Sequence, residues 1–390
     1  AIKLKPDFAN AHNNLGNILK NLGKLQDAEF SYRKAIELDP ELASVHSNRG
    51  NILANLGKLE EAEVSVRKAI ELKPDFSEAH FLLGSIYQNT GELKRANYHY
   101  KKTYNLKQDK EYIQLLSLVY KSINHLILYD LDEALSNIKL IDESLELNSS
   151  SSNNLLLKNH IIHTFNIVKY LENDIKNIRV DQELETIPYI GDSHCLSFAH
   201  KRLTLSKKIK RVKPVYIVGA KAWHFANKFD NMFKSYIKEQ IKKNIPGDQV
   251  LISFGEIDCR ESEGILQYSL KNSKDIKQVC IETIVGYLNF MEENLSRFFT
   301  KRYYFGTPAP FIRRQKVTAI DIKRKYLIEI FNIILKKEVL LRNCYFIDVY
   351  GLTSDKGLNN NFYMLDDQHL VPSCLSELIN NHLYEPDKKS

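Results

Sequence analysis

The sequence predicts two domains of different fold class, an all-α solenoid of helical repeats followed by a three-layer α/β domain with a parallel sheet. Three observations predict this. Residues recur every 34 positions through the first 110 residues, a polar run (NSSSSNN) fills positions 148–154, and short apolar runs alternate with amphipathic stretches from about residue 186. The predicted boundaries are 1–147 for the solenoid, 148–185 for a linker and connecting helix, and 186–390 for the α/β domain.

The repeats are marked by proline and small residues at a fixed offset. A 34-residue period with small residues where two helices approach resembles the tetratricopeptide repeat (TPR), whose unit is two antiparallel helices. Three complete repeats are predicted over 9–110, and a longer, degenerate helix pair over 111–147, because Ala134 falls four residues late. The recurring residues are Pro6, Pro40 and Pro74, Gly16, Gly50 and Gly84, and Ala28, Ala62 and Ala96.

Paired asparagines recur on the first helix of two repeats. Asn14 and Asn17 are three residues apart, on one side of a predicted helix, and Asn48 and Asn51 repeat them one unit later. Amides both donate and accept hydrogen bonds, so they suit the backbone of an extended peptide. The pattern resembles the asparagine ladder of O-GlcNAc transferase-type arrays, which implies a protein or peptide partner on the concave face. The alternative is a solvated polar face.

The second half contains five short apolar runs that end at or include a glycine. Continuous apolar runs suit strands buried on both faces, and the helical stretches between them predict a parallel sheet covered by helices. In such a sheet, reactive groups collect at the carboxyl ends of the strands. The runs are IPYIG (187–191), PVYIVG (214–219), QVLISFG (249–255), RYYFG (302–306) and CYFIDVYG (344–351).

The first of these strands ends in the letters GDSH, which place Ser193 on the turn into a helix. A serine there is exposed at the sheet edge beside free helix-terminal N–H groups. Far downstream, the letters DDQH supply Asp366 and His369. A nucleophilic serine needs a neutral imidazole to take its proton, and the imidazole needs a carboxylate to fix its tautomer. The three residues predict a catalytic triad.

Four blocks in order, GDSH, VGAK, FGEID and DDQH, resemble the SGNH or GDSL hydrolases, which are flavodoxin-like α/β esterases and acyltransferases. The resemblance covers about the last 200 residues. It implies that Ser193 is the nucleophile, His369 the general base and Asp366 its orienting carboxylate. The same resemblance implies that the backbone N–H groups of Ser193 and Gly219 form the oxyanion hole. An acyl ester substrate is implied, with no cofactor and no metal.

The third block departs from the family, because Ile257 stands where an asparagine usually completes the oxyanion hole. Loss of one such donor typically lowers turnover by about 100- to 1000-fold. Arg260 is a candidate replacement donor, and Glu256 and Asp258 place two carboxylates at the same sheet edge. The alternative is that these three residues form a salt-bridge cluster that shapes the loop and takes no part in catalysis.

Two other interpretations remain open. The letters GDSH also resemble the opening of metallophosphoesterases, in which Asp192 and His194 would bind one of two metal ions. The further GNHD and GHxH clusters of that class do not occur in the sequence. In the second interpretation, the repeats bind partners and the α/β domain is an inactive relic, which makes the protein a scaffold.

Composition and charge argue against some classes of partner and indicate a cellular compartment. The net charge of +7 is spread over 55 basic and 48 acidic residues with no basic stripe, which argues against nucleic acid as a partner. No apolar run is long enough to cross a bilayer. Five cysteines without a CxxC pair predict free thiols in a reducing compartment, and we expect a cytoplasmic protein. The first residue is Ala1, so we expect a fragment, which leaves targeting open. Trp223 is expected in the core.

Overall fold

A computed structural model describes residues 8–106, 111–147, 184–243, 247–261, 264–311, 317–364 and 369–386. These residues divide into two compact units. The first contains the described residues up to 147 together with 229–240, and the second contains 184–228 and 241–386. Residues 229–240, which fall within the predicted α/β domain, pack with the first unit. Of the predicted linker, residues 148–183 lie outside the described ranges.

The first unit is built of helices that pack in sequence order, each against the next. In the three repeats the helices have 13 or 14 residues, and the pair that follows has 17 residues in each helix, as the late Ala134 predicts. The helices are α1 (Ala9–Asn21), α2 (Leu25–Leu38), α3 (Ala43–Asn55), α4 (Leu59–Leu72), α5 (Ser77–Asn89), α6 (Leu93–Asn105), α7 (Glu111–Ile127) and α8 (Leu131–Leu147).

Small residues let the two helices of each repeat approach closely. A Cβ atom on Gly50 in α3 would lie 2.4 Å from Val66 Cγ2 in α4 and 3.2 Å from the carbonyl oxygen of Ala62. Gly16 and Gly84 meet the rings of a tyrosine in the same way. The alanines of the repeat pattern, Ala28, Ala62 and Ala96, are fully buried. The glycines and alanines that recur every 34 residues therefore lie where the two helices of each pair contact each other.

We predict that Gly50→Ala destabilises the first unit. Helix propensity alone would raise the free energy of unfolding by about 1 kcal/mol, because alanine favours helix over glycine. Overpacking against Val66 costs about 1–3 kcal/mol and should outweigh that gain. Chemical denaturation followed by circular dichroism measures the difference, and adding Val66→Ala should recover part of the loss. A single variant more stable than the wild type would contradict the packing argument.

The second unit contains a seven-stranded mixed sheet. The strands are β1 (Thr186–Gly191), β2 (Arg202–Leu205), β3 (Lys208–Tyr216), β4 (Gln249–Ser253), β5 (Lys301–Phe305), β6 (Tyr345–Ile347) and β9 (Leu383–Tyr384), in the spatial order β2-β3-β1-β4-β5-β6-β9; β7 (Ser354–Asp355) and β8 (Leu358–Asn359) form a separate ribbon. The five central strands are mutually parallel. Counted among themselves they follow the order 2-1-3-4-5, that of flavodoxin-like sheets, with the topological switch point between β1 and β4.

The prediction of an all-parallel sheet is wrong at both edges. β2 pairs with β3 and β9 pairs with β6 in antiparallel orientation. β2 and β3 are joined by a two-residue turn, Ser206–Lys207, in which both residues have positive φ, the geometry of a tight hairpin. The side chains of β2 alternate between exposed and buried, so no continuous apolar run marks the strand. β9 has only two residues and leaves no periodic signal.

Two predicted strands end three or more residues earlier than the apolar letters suggest. The run at 214–219 is a strand only to Tyr216, in a strand that begins at Lys208. The run at 344–351 is a strand over Tyr345–Ile347, after which a short helix begins at Val349. The Asp348 carboxylate accepts a hydrogen bond from the Gly351 N–H at 2.7 Å and caps that helix. An N-cap residue inside an apolar run therefore ends the strand.

Helices and short turns connect the strands of the second unit. None of the helices in the described residues is long and apolar enough to cross a membrane. All five cysteines are buried free thiols. The helices are α9 (His194–Ser197), α10 (Ala222–Ala226), α11 (Met232–Lys242, which also supplies residues to the first unit), α12 (Ile265–Asn272), α13 (Ile276–Leu295), α14 (Ala319–Leu341), α15 (Val349–Thr353) and α16 (Leu375–Asn381).

Candidate active site

The structure brings Ser193 and His369 together at the carboxyl end of β1. Ser193 Oγ lies 2.9 Å from His369 Nε2, although the residues are 176 positions apart. The imidazole is buried, whereas the serine is only half-buried. Ser193 occupies the N-cap position of α9, yet its side chain makes no capping hydrogen bond. The hydroxyl is therefore directed at the imidazole, and a neutral Nε2 can accept its proton.

Backbone pairing next to His369 fixes the main chain at that position. Met364 and Leu370 form an antiparallel bridge, and the Val371 N–H donates to the Tyr363 carbonyl oxygen at 2.9 Å. A 3₁₀ turn over Pro372–Cys374 follows. Asp366, the predicted orienting carboxylate, lies outside the described residues. Its place in a triad stays a prediction.

The backbone N–H groups of Ser193 and Gly219, the predicted oxyanion donors, have no hydrogen-bond acceptor within the described part of the chain. Gly219 has a φ of +69°, in the left-handed region that favours glycine, and no atom lies within 4 Å of the place where its Cβ would be. The turn after β3 is therefore open on that side. Both N–H groups can therefore bind an external acceptor.

Asp258 ties the loop after β4 to the loop that follows β3. Its carboxylate is fully buried and accepts hydrogen bonds from the N–H groups of Ala222 (2.7 Å) and Trp223 (3.0 Å), at the start of α10. Burial raises the pKa of Asp258 to about 7, although the two backbone hydrogen bonds act in the opposite direction. The carboxylate faces the backbone, so it fixes the segment that follows Gly219.

Glu256 and Arg260 form an ion pair. The Arg260 Nε and Nη2 atoms lie 2.9 Å and 2.7 Å from the same Glu256 oxygen, and Glu256 is buried. Ile257, the residue in the place of the family asparagine, is also buried. This pairing favours the loop-shaping interpretation for Glu256 and Arg260. A role for Arg260 as an oxyanion donor stays a prediction.

A histidine–aspartate pair, His194 and Asp192, adjoins Ser193; at the level of sequence these two residues have a role only in the metallophosphoesterase interpretation. One Asp192 carboxylate oxygen accepts from the His194 backbone N–H at 3.0 Å and lies 2.8 Å from His194 Nδ1. The His194 ring centroid is 4.9 Å from that of His369. The residue types were visible in the GDSH block, but the ring contact depends on the fold. In the described residues, no group of three or more His, Cys, Asp or Glu side chains is placed to hold a metal ion.

A cavity lies beside the serine–histidine pair. His194 and Leu370, the chain neighbours of Ser193 and His369, both line it. Much of its wall is aromatic, supplied by Tyr189, Phe198, Phe254 and Phe305. These residues come from separate segments of the chain, so no local sequence pattern could have grouped them.

Trp223 was expected in the core, and this prediction is wrong. The side chain is 43% exposed, and its ring lies edge-on to the His224 ring, with the centroids 5.7 Å apart. The Trp223 N–H is bound by Asp258, so the backbone of α10 is fixed while the indole faces solvent.

The four predicted peptide-binding asparagines differ in their surroundings. Asn14 is exposed. The other three make hydrogen bonds within the solenoid: Asn17 Oδ1 accepts from the Tyr32 hydroxyl (2.8 Å), Asn48 Nδ2 donates to Asn13 Oδ1 (3.2 Å), and Asn51 Oδ1 accepts from Asn55 Nδ2 (3.2 Å). The Asn48–Asn13 bond links adjacent repeats, and Asn13 is a member of this amide row that sequence reasoning missed.

Family models match the first unit. Models described as tetratricopeptide repeat match residues 9–42 and 31–64, and one described as TPR repeat matches 50–91. The amino-terminal helices are tetratricopeptide repeats. TPR arrays commonly bind protein or peptide partners on their repeat surface. No curated protein matches the chain.

Several solved structures resemble part of the chain. The match to the crystal structure of MamA covers 38% of this chain and 85% of the MamA chain, with 22% sequence identity and a TM-score of 0.36. The Pseudomonas aeruginosa pilF structure is 19% identical, covers 45% of this chain and 73% of its own, and has a TM-score of 0.37. The first TPR of Spaghetti (RPAP3) bound to the HSP90 peptide SRMEEVD is 21% identical and covers 30% of this chain and 94% of its own, with a TM-score of 0.28.

We predict a pH-dependent contribution of Asp258 to stability. Because folding raises the pKa of this carboxyl from about 4 to about 7, the folded protein keeps a proton that the unfolded chain has lost in this range. The contribution is full below about pH 4, falls as the pH rises to about 7, and is constant above that. The difference in unfolding free energy between wild type and Asp258→Asn, measured by urea denaturation, should fall across this window. A constant difference, or one that grows with pH, would contradict the burial argument.

Proposed function

We propose that the second unit is a serine ester hydrolase or O-acyltransferase of SGNH type. Its substrate is an O-acyl group of short chain length on a glycan, lipid or protein hydroxyl. The tetratricopeptide repeats bind a protein or peptide partner. One observation carries the enzymatic part of the proposal: Ser193 Oγ and His369 Nε2 are within hydrogen-bond distance at the carboxyl end of a parallel strand beside the topological switch point.

The proposed reaction begins when Ser193 Oγ attacks the ester carbonyl carbon while His369 Nε2 takes the hydroxyl proton. The carbonyl oxygen becomes an oxyanion, which the N–H groups of Ser193 and Gly219 bind. The bond to the alcohol then breaks, and the alcohol leaves with the proton from His369. Water or an acceptor hydroxyl attacks the acyl-enzyme in the same way and restores Ser193.

Asp258 supports this scheme indirectly. Its two hydrogen bonds to the start of α10 hold the segment that begins at Gly219, so the proposed oxyanion donor is fixed before substrate arrives. The absence of an asparagine at position 257 still removes one usual donor. We therefore expect turnover about 100- to 1000-fold below that of a site with all three donors.

The second candidate function is a scaffold without catalysis, in which the repeats bind partners and the α/β unit is inert. The observation that favours it is the buried Ile257 beside a closed Glu256–Arg260 ion pair. The metallophosphoesterase interpretation has less support. The Asp192 oxygen that bonds His194 is occupied by that imidazole and by a backbone N–H.

We predict that Ser193→Ala and His369→Ala each lower hydrolysis of p-nitrophenyl acetate by at least about 1000-fold, because each removes a reacting group. Release of p-nitrophenol, followed by absorbance, gives kcat and KM. Ser269→Ala is a matched control, since Ser269 is a buried serine of α12 whose hydroxyl has no partner in the described residues. Equal rates for wild type and Ser193→Ala would favour the scaffold.

For the repeats, we predict that peptides selected from a random display library against the full chain lose affinity by about tenfold or more in the Asn14→Ala, Asn48→Ala double variant. Each amide supplies both a donor and an acceptor to an extended backbone. Fluorescence polarisation measures the dissociation constants. Asn21→Ala, an exposed asparagine of α1 outside the pattern, is the control. Unchanged affinity in the double variant would remove the asparagines from the partner site.

A further inference from the structure

Three residues that line the cavity beside Ser193 each carry a buried side-chain oxygen without a hydrogen-bond partner among the described residues. Two of these oxygens are Asp192 Oδ2 and the Ser197 hydroxyl, and both residues are 1% exposed. The third is the Ser253 hydroxyl, which lies close to the Tyr189 phenol. Polar atoms this deeply buried normally bond to protein, ordered water or a ligand, so this cavity can hold a group that bonds to them.

The chemistry of these atoms restricts that group. A carboxylate oxygen only accepts hydrogen bonds, so the group must donate to Asp192. A serine hydroxyl can donate or accept. A neutral hydroxyl satisfies both positions with one donor hydrogen and two lone pairs. The aromatic wall, with Phe198 and Phe305, suits the short hydrocarbon chain that would carry this hydroxyl.

The position of the cavity indicates which part of a substrate enters it. His194 follows the proposed nucleophile directly in the chain, and Leu370 follows the proposed base, and both side chains line the cavity. The group nearest to both residues in the proposed reaction is the acyl portion of the ester.

We propose that this cavity is the acyl-binding pocket and that the preferred acyl group is short and carries a hydroxyl on its chain. The inference rests on the proposed function and makes it more specific. Asp192 and Ser197 recognise the hydroxyl, and the aromatic residues hold the carbon chain. An acyl group without a hydroxyl leaves both polar atoms buried and unbonded, which is the basis of the selectivity.

The test compares p-nitrophenyl 3-hydroxybutyrate with p-nitrophenyl butyrate, which differ only in the hydroxyl, using the full chain. The expected kcat/KM is at least about tenfold higher for the hydroxylated ester, since sites built to bond a hydroxyl discriminate against analogues that lack it. Ser197→Ala should bring the ratio close to one by lowering kcat/KM for the hydroxylated ester. Ser269→Ala, an equally buried serine outside the cavity lining, should keep the wild-type ratio.

The possible results distinguish failure of the hydroxyl pocket from failure of the proposed esterase function. A high ratio that Ser197→Ala abolishes and Ser269→Ala preserves supports the hydroxyl pocket. Hydrolysis of both esters at equal kcat/KM overturns the pocket and leaves the esterase proposal standing. A high ratio unchanged in both Ser197→Ala and Ser253→Ala also overturns it. Hydrolysis of neither ester overturns the proposed function, and the inference with it. Thermal unfolding of each variant checks that the fold is intact.

Discussion

The hydrogen bond between Ser193 and His369 depends on the parallel arrangement of the central strands. Parallel strands bring all their carboxyl ends to one edge, so a residue after β1 can meet one that follows β6 far along the chain. The approach at this edge is close. A Cβ on Gly191, the last residue of β1, would lie 2.7 Å from Ser253 Oγ. The glycine that opens the GDSH block is therefore required by packing against β4.

Asp258 shows how the same edge is stiffened at some cost in free energy. A carboxylate removed from water is unfavourable unless hydrogen bonds replace its hydration, and here two backbone N–H groups at the start of α10 do so. The raised pKa of Asp258 reflects the part of that cost that remains. In return, the loops after β3 and β4 are fixed to each other.

Much of the fold could be predicted because its signals are local. The 34-residue period is visible because Gly50, Ala62 and their equivalents must stay small wherever two helices meet. The buried central strands are visible as apolar runs. The antiparallel edge strands were missed because β2 alternates and β9 is two residues long, and the helix at Val349 was missed because a cap at Asp348 interrupts an apolar run.

The candidate site could likewise be predicted only where its residues carry a local sequence signal. Ser193 and His369 could be proposed from motifs, since their chemistry requires specific residue types. The Asp192–His194 pair could not be placed against His369, and the cavity could not be foreseen, because both depend on residues that only the folded chain brings together. A salt-bridge cluster was one of two interpretations of Glu256 and Arg260 from the sequence, and in the structure these two residues form an ion pair.

The measurement that tests the central claim most directly is covalent labelling of the full chain with a fluorophosphonate, followed by peptide mass spectrometry. If Ser193 is a nucleophile activated by His369, a single adduct forms on the peptide that contains Ser193, and labelling is strongly reduced in His369→Ala. An unlabelled Ser193 in folded protein, or labelling that is equal with and without His369, would contradict the account.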